Sequence, residues 1–324
     1  MKINSSITTQ SVEQMAQEIV QAHRDTLALT ASAAEGVVFT ADDPVYRAAL
    51  LACHRLGFID SDAQLVSMAW QRQTLRMGHF EAGRWPCEPM DFGISPWPRP
   101  GAFASCPKQL HLYAVVPDAA WVGRMARAGV PTLQLRFKVD RTASIESEVQ
   151  TAVKAVQGTG ALLFINDHWQ AAISAGAYGV HLGQEDMDVA DLAAIRGAGL
   201  RLGLSSHGYA EMMKADAFSP SYIAMGAVYP TTLKRMVTPP QGLGRLRAYA
   251  RLMRDYSLVA IGGIDESRLD NVLASGVGSV AMVRALVSSS DPAASANALI
   301  RRIDAALIQR DNKDVVPRPC CPSE

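Results

Sequence analysis

The sequence has no excess charge of either sign: 31 Lys+Arg stand against 31 Asp+Glu, a formal net charge of zero. That balance argues against a generic nucleic-acid or anionic-membrane binder and leaves room only for a local basic pocket holding a small polyanion. Cysteine is sparse. The five residues Cys53, Cys87, Cys106, Cys320 and Cys321 form no CxxC or Cys/His ligand spacing, and the adjacent pair in the tail is strained as a disulfide. This usage fits a reduced, cytoplasmic compartment. No stretch approaches eighteen consecutive apolar residues, and the first fourteen residues lack an apolar h-region, so neither a membrane span nor a signal peptide is expected. What is plentiful is apolar surface: 48% of residues are hydrophobic and 19% charged, enough for a sizeable core and against global disorder. The 324 residues suit two domains, or one (β/α)8 barrel with an extension.

The first hundred residues differ in texture from the rest. Val12, Met15, Ala16, Ile19 and Val20 recur at helical spacing, Asp42-Asp43-Pro44 is a cap-plus-proline start for a helix to Leu56, and a third helix is expected from near Ser61 to Gly78. Residues 1–84 read as a helical accessory domain. Prolines 86, 89, 96, 98, 100 and 107 block regular structure over 85–107, which reads as a linker. From 108 to 309 short apolar runs alternate with amphipathic helical patterns such as 145–156, 243–254 and 292–307. The eight runs are 110–116, 132–137, 161–165, 179–182, 200–204, 222–225, 258–261 and 279–283, which at about 25 residues per βα unit predicts a TIM barrel, with a doubly wound sheet as the alternative. The tail 310–324 reads as disordered.

In a TIM barrel the chemistry sits where strands end. Gln134, Arg136 and Lys138 share one side of strand two by period-two alternation. If Leu135 and Phe137 face the helices, an amide and two cations line the barrel mouth; the other reading is a solvated edge strand with outward cations. Strand three ends in Asn166-Asp167, and strand four leads to Asp186. Each Asp alone suits a helix N-cap. Two carboxylates at neighbouring strand ends also suit one Mg²⁺, whose octahedron water and phosphate oxygens complete. Strand five ends at Ser205-Ser206-His207, and the run 229–234 after strand six offers hydroxyls and Lys234 within a segment of lid length. Gly262-Gly263 and Val283-Arg284, after strands seven and eight, occupy the usual TIM-barrel phosphate position.

From about residue 112 to 303 the chain resembles the thiamine phosphate synthase family. The resemblance is carried by Gln134-x-Arg136-x-Lys138, Asn166-Asp167, the run from His181 to Asp186, Gly203-x-Ser205, Pro230-Thr231-x-x-Lys234, Pro240-Gln241-Gly242-Leu243 and the run from Ala260 to Ile264, in family order at barrel spacing. It implies an alkyl transfer: 4-amino-2-methyl-5-hydroxymethylpyrimidine diphosphate joins 4-methyl-5-(2-phosphoethyl)thiazole, or its carboxylate, giving thiamine phosphate and pyrophosphate. It further implies that Gln134, Arg136, Lys138, Asn166, Ser205 and Lys234 hold the pyrimidine diphosphate, with Arg136, Lys138, Lys234 and Ser205 serving the chemistry. Asp167 and Asp186 would hold Mg²⁺; Thr231, Thr232, Leu233, Gly263, Val283 and Arg284 would form the thiazole phosphate subsite. Small molecules are the expected partners, nucleic acid and membrane are not, and homo-oligomerisation is left open.

Two positions depart from the family pattern, which has Thr where this chain has Leu233 and Ser where it has Arg284. Both fall in the thiazole phosphate subsite, so the identity of the acceptor is what they bear on; a guanidinium is a stronger anion partner than a hydroxyl. The competing readings are a thiazole tautomerase on the same barrel and a non-catalytic thiamine-phosphate-binding regulator. The segment 43–78 weakly resembles the final helices of ribokinase-like pyrimidine kinases, but it lacks a glycine-rich anion hole and is too short for a kinase.

Overall fold

Proline, glycine and capping hydroxyls set the limits of the N-terminal helices. In α1 (Val12–Leu27) Ser11 and Gln14 form a reciprocal capping box, and Met15, Ala16, Ile19 and Val20 are buried. The next helix, α2 (Pro44–Arg55), starts with proline behind an Asp43 cap; α3 (Asp60–Met77) stops at Gly78, whose φ of 80° is left-handed. A one-turn α4 (Pro89–Phe92) follows, held by the Arg76–Asp91 ion pair at 2.6 Å. The structure is a computed structural model and describes residues 11–29, 37–97, 99–137, 142–231 and 238–314. It divides into two compact units. The first takes the chain up to Pro96 together with Gly208–Met213; the second begins at Trp97. Among the described residues, Cys53, Cys87 and Cys106 are free thiols, and no helix is long and apolar enough to cross a membrane.

In the second unit eight parallel strands close in sequence order into a barrel, the (β/α)8 fold rather than a doubly wound sheet. They are β1 (His111–Val116), β2 (Thr132–Leu135), β3 (Leu162–Asn166), β4 (Gly179–Leu182), β5 (Arg201–Ser206), β6 (Tyr222–Met225), β7 (Ser257–Ala260) and β8 (Ser279–Met282). The barrel interior is filled by Tyr113, Phe164 and Tyr222, with Val115, Ala224, Val259 and Ala281 around them. Aromatics this large fit because glycine faces them: a Cβ on Gly203 would lie 2.1 Å from the Tyr222 ring, and one on Gly179 2.5 Å from Phe164. This lower layer is a packed core, so the space for chemistry lies above it, where the strands end.

The proline-rich stretch is not uniform. Residues from Trp97 onward belong to the barrel unit, and they are fastened to it. Arg99 pairs with Asp216 at 2.7 Å, with both side chains nearly buried, and Tyr256 donates to the same carboxylate at 2.8 Å. Ser221 and Ser257 donate to the carbonyls of Ala104 and Pro107, and Phe103 is buried. Removing the guanidinium leaves a buried carboxylate without its counter-charge, so Arg99→Ala is expected to cost about 3 kcal/mol. Thermal melting checks this; an unchanged melting temperature would mean that 97–107 is only a tether. At the other end the last helix, Pro292–Asp314, continues past Arg310 into the stretch expected to be disordered.

Candidate active site

The C-terminal ends of the strands surround a cavity of about 200 Å³, and every residue lining it lies in the barrel unit. Gln134 and Arg136 both line it, while Leu135 between them is fully buried. Strand β2 lies between β1 and β3, so the edge-strand reading does not apply. Asn166, Asp167, Asp186, Ser205, Thr231, Gly263, Val283 and Arg284 line the same cavity. Lys138, Thr232, Leu233 and Lys234 lie outside the described residues.

The two carboxylates face one another. Asp167 follows β3 in a left-handed conformation, φ 62°, which Asp tolerates better than most side chains. Its Oδ2 accepts from the Asn166 side-chain amide at 2.6 Å, and its N–H donates to the His181 carbonyl at 3.0 Å. Asp186 opens a single 3₁₀ turn after β4 and accepts the Gly183 N–H at 3.0 Å. Partial burial and then the neighbouring Asp186 raise the Asp167 pKa, Arg136 and Asn166 oppose the rise, and the net value is about 6. Two acids that repel across a half-dry gap suit a bound cation better than a cap. Among the described residues no group of three or more His, Cys, Asp or Glu side chains is placed to hold a metal. A cation here would take its remaining ligands from water or substrate, which is Mg²⁺ behaviour rather than that of an all-protein zinc cage.

Opposite the carboxylates, the ends of β6 and β7 are knitted together. Val228 donates to the Ile261 carbonyl and Tyr229 to that of Gly262, each at 3.0 Å. Gly263 has φ 65°, and a Cβ there would lie 2.4 Å from the Pro230 carbonyl oxygen, so only glycine permits this approach. Arg268 spans the junction: it donates to the Gly263 carbonyl at 2.5 Å and lies over the Tyr229 ring at 4.5 Å. Arg284, exposed after β8, supplies the cationic rim on this side.

Some cavity residues were not singled out in sequence. Val115, Gly226, Ala227 and Ala281 form an apolar floor. Beneath Gln134 and Ser205 runs a buried polar chain through Tyr113, Tyr222 and His181. Period two was the available signal: Tyr113 and Val115 on β1, and Tyr222 and Ala224 on β6, share the inward parity that Gln134 has on β2.

Comparison with known proteins agrees with the geometry. The thiamine monophosphate synthase family pattern matches residues 112–286. A thiamine-phosphate synthase of Neisseria meningitidis serogroup B is 56% identical over 185 residues, covering 57% of this chain and 90% of the relative. One of Yersinia pestis (strain Pestoides F) is 50% identical over 189 residues, covering 58% and 88%. Among solved structures, thiamine phosphate pyrophosphorylase from Pyrococcus furiosus superposes with a TM-score of 0.55 at 27% identity, over 61% of this chain and 97% of that one.

Proposed function

The chain belongs to the thiamine monophosphate synthase family, and from that premise we infer that it joins 4-amino-2-methyl-5-hydroxymethylpyrimidine diphosphate to 4-methyl-5-(2-phosphoethyl)thiazole at the mouth of its barrel. The bond between the pyrimidine methylene carbon and the diphosphate oxygen breaks, and the electron pair leaves with pyrophosphate. The thiazole nitrogen then supplies the pair for the new C–N bond. The methylene cation is stabilised by the ring amino group, so the protein's task is to neutralise a departing polyanion and hold the acceptor in line. No protein nucleophile is required.

The observation that carries the assignment is the convergence of Arg136, Asn166, Asp167, Asp186 and Ser205 on one cavity. In this reading Gln134 and Ser205 orient the pyrimidine, Asn166 holds both Asp167 and the diphosphate, and Arg136, Lys138 and Lys234 offset its charge. Thr231, Thr232, Leu233, Gly263, Val283 and Arg284 form the thiazole phosphate end. Asp167 and Asp186 fit Mg²⁺, which when bound would add Lewis-acid neutralisation of the diphosphate. Retention of the carboxylate pair speaks against a tautomerase, which has no diphosphate to release, and against a non-catalytic regulator. Purified protein given both substrates and Mg²⁺ is expected to release pyrophosphate and thiamine phosphate in equal amounts. Turnover of the thiazole without the pyrimidine would favour the tautomerase, and binding without any product the regulator.

The carboxylate pair also sets a pH dependence. Asp167 has a folded pKa of about 6, above its usual value, so the protein holds a proton there below pH 6 and must lose it for both carboxylates to face a cation. Mg²⁺ affinity is therefore expected to weaken as pH falls through about 6. Calorimetric titration with Mg²⁺ and pyrophosphate at pH 5.5 and 7.5 checks it, and equal affinities would remove the pair from the metal site.

A further inference from the structure

Five side chains form one continuous hydrogen-bonded chain across the barrel: Gln134, His181 and Ser205 line the cavity, and Tyr113 and Tyr222 belong to the packed core. The Gln134 amide nitrogen donates to the Tyr113 hydroxyl at 3.2 Å. Tyr113 and Tyr222 share a hydrogen bond of 2.7 Å. The Tyr222 hydroxyl meets His181 Nδ1 at 2.7 Å, and His181 Nε2 meets Ser205 Oγ at 2.8 Å. Tyr113 and Tyr222 are 1% and 0% exposed, and burial pushes both phenols well above their ordinary pKa, so each keeps its single hydrogen. The imidazole lies nearly parallel to the Tyr222 ring, 21° between planes. Only the two ends, Gln134 and Ser205, touch substrate in the assignment above.

A hydroxyl has one hydrogen to give, and a neutral imidazole has one N–H and one acceptor nitrogen. With each hydroxyl giving its hydrogen within the chain or to the cavity, so that no buried O–H is left unsatisfied, the direction of every bond follows from the first. Tyr113 accepts from the Gln134 amide, so its own hydrogen goes to Tyr222. The Tyr222 hydrogen then goes to His181 Nδ1, the imidazole carries its proton on Nε2 and gives it to Ser205 Oγ, and the Ser205 hydrogen is left for the cavity. At the far end the Gln134 carbonyl oxygen is left for the cavity. Reversing one link reverses all: Ser205 becomes an acceptor and Gln134 a donor.

We propose that Tyr113, Tyr222 and His181 are positioning residues, a buried relay that makes Gln134 present an acceptor and Ser205 a donor to the substrate as a single coupled choice. The relay rests on the pyrimidine diphosphate site proposed above. It orients both contacts before substrate arrives, so no reorganisation of these dipoles is needed as charge develops. A relay of this kind explains why a barrel interior otherwise filled by packing carries two phenols and an imidazole.

The test reads the histidine tautomer directly, without substrate. In protein labelled with ¹⁵N-histidine, the His181 signals, assigned by their loss in His181→Gln, are expected to show a protonated Nε2 and an accepting Nδ1. Gln134→Glu, held ionised by working well above the pH at which its own carboxyl signal titrates, offers Tyr113 only an acceptor, so it should turn the relay around and move the proton to Nδ1. A wild-type proton on Nδ1, or an unchanged tautomer in Gln134→Glu, would overturn the relay. Tyr222→Phe keeps the ring and removes the central link, which guards against misfolding of the glutamate variant. In it the single tautomer is expected to give way to a mixture, and turnover to fall about tenfold with the thiazole KM unchanged. Tyr222→Phe with wild-type tautomer and rate would equally overturn the proposal. Absence of thiamine phosphate synthesis in the wild-type protein, with the tautomers as expected, would retire the substrate assignment and leave the relay standing.

Discussion

Replacing either carboxylate of the strand-end pair, Asp167→Asn or Asp186→Asn, is expected to lower turnover by at least ~10²-fold, because a cation clamp supplies several kcal/mol of transition-state charge stabilisation. Folding should survive. Above pH 6 the raised pKa of Asp167 means that its ionised form is disfavoured in the folded, metal-free protein; that penalty is relieved as pH falls through 6. Asparagine removes the charge and with it the penalty, so at neutral pH the metal-free Asp167→Asn protein should melt no lower than wild type. Loss of turnover with an intact melting curve separates a metal role from a cap. Near-normal turnover in both variants at limiting Mg²⁺ would defeat the assignment.

Arg284→Ala carries the second large effect. Arg284 lines the cavity at the end of β8, beside Val283 and on the strand next to the one that Gly263 follows, in the proposed thiazole phosphate end. A charge-assisted contact to that phosphate is worth roughly 1.5–3 kcal/mol, which raises the thiazole KM about ten- to a hundredfold. The pyrimidine diphosphate KM should stay put, since the site proposed for its diphosphate is built on Arg136, Asp167 and Asp186 after β2, β3 and β4. Arg284→Ser, which restores the usual family residue, should retain more activity than Ala. An arginine turned to a surface acid instead would be worth under about 1 kcal/mol, and an unchanged thiazole KM would place the phosphate on Gly263 and the backbone alone. Steady-state kinetics with each substrate varied in turn distinguishes the two.

The barrel was legible because each strand is a short apolar run bounded by polar or glycine residues, a pattern a buried parallel strand imposes directly. Gln134 and Arg136 were legible for the same reason: period two brings alternate residues to one side, and once β2 is a central strand that side is the interior. The relay was hidden because Tyr113 and Tyr222 read locally as ordinary apolar strand positions. Their partners come from β2, β4 and β5, and only the closed barrel joins them. The space they occupy depends on Gly179 and Gly203, whose missing side chains carry no pattern along the chain. The stretch 97–107 misled for a related reason. Proline density forbids helix and sheet but not packing, and the buried Asp216 that anchors Arg99 lies more than a hundred residues away.

Crystals of the full chain soaked with Mn²⁺ and pyrophosphate would show where the cation and the leaving group sit, because Mn²⁺ takes the same oxygen ligands as Mg²⁺ and scatters anomalously. One strong anomalous peak is expected within coordination distance of both Asp167 and Asp186, with pyrophosphate oxygens beside it that also meet Arg136. A peak away from that pair, or pyrophosphate bound at the Gly263 and Arg284 side with the carboxylates unengaged, would contradict the metal assignment.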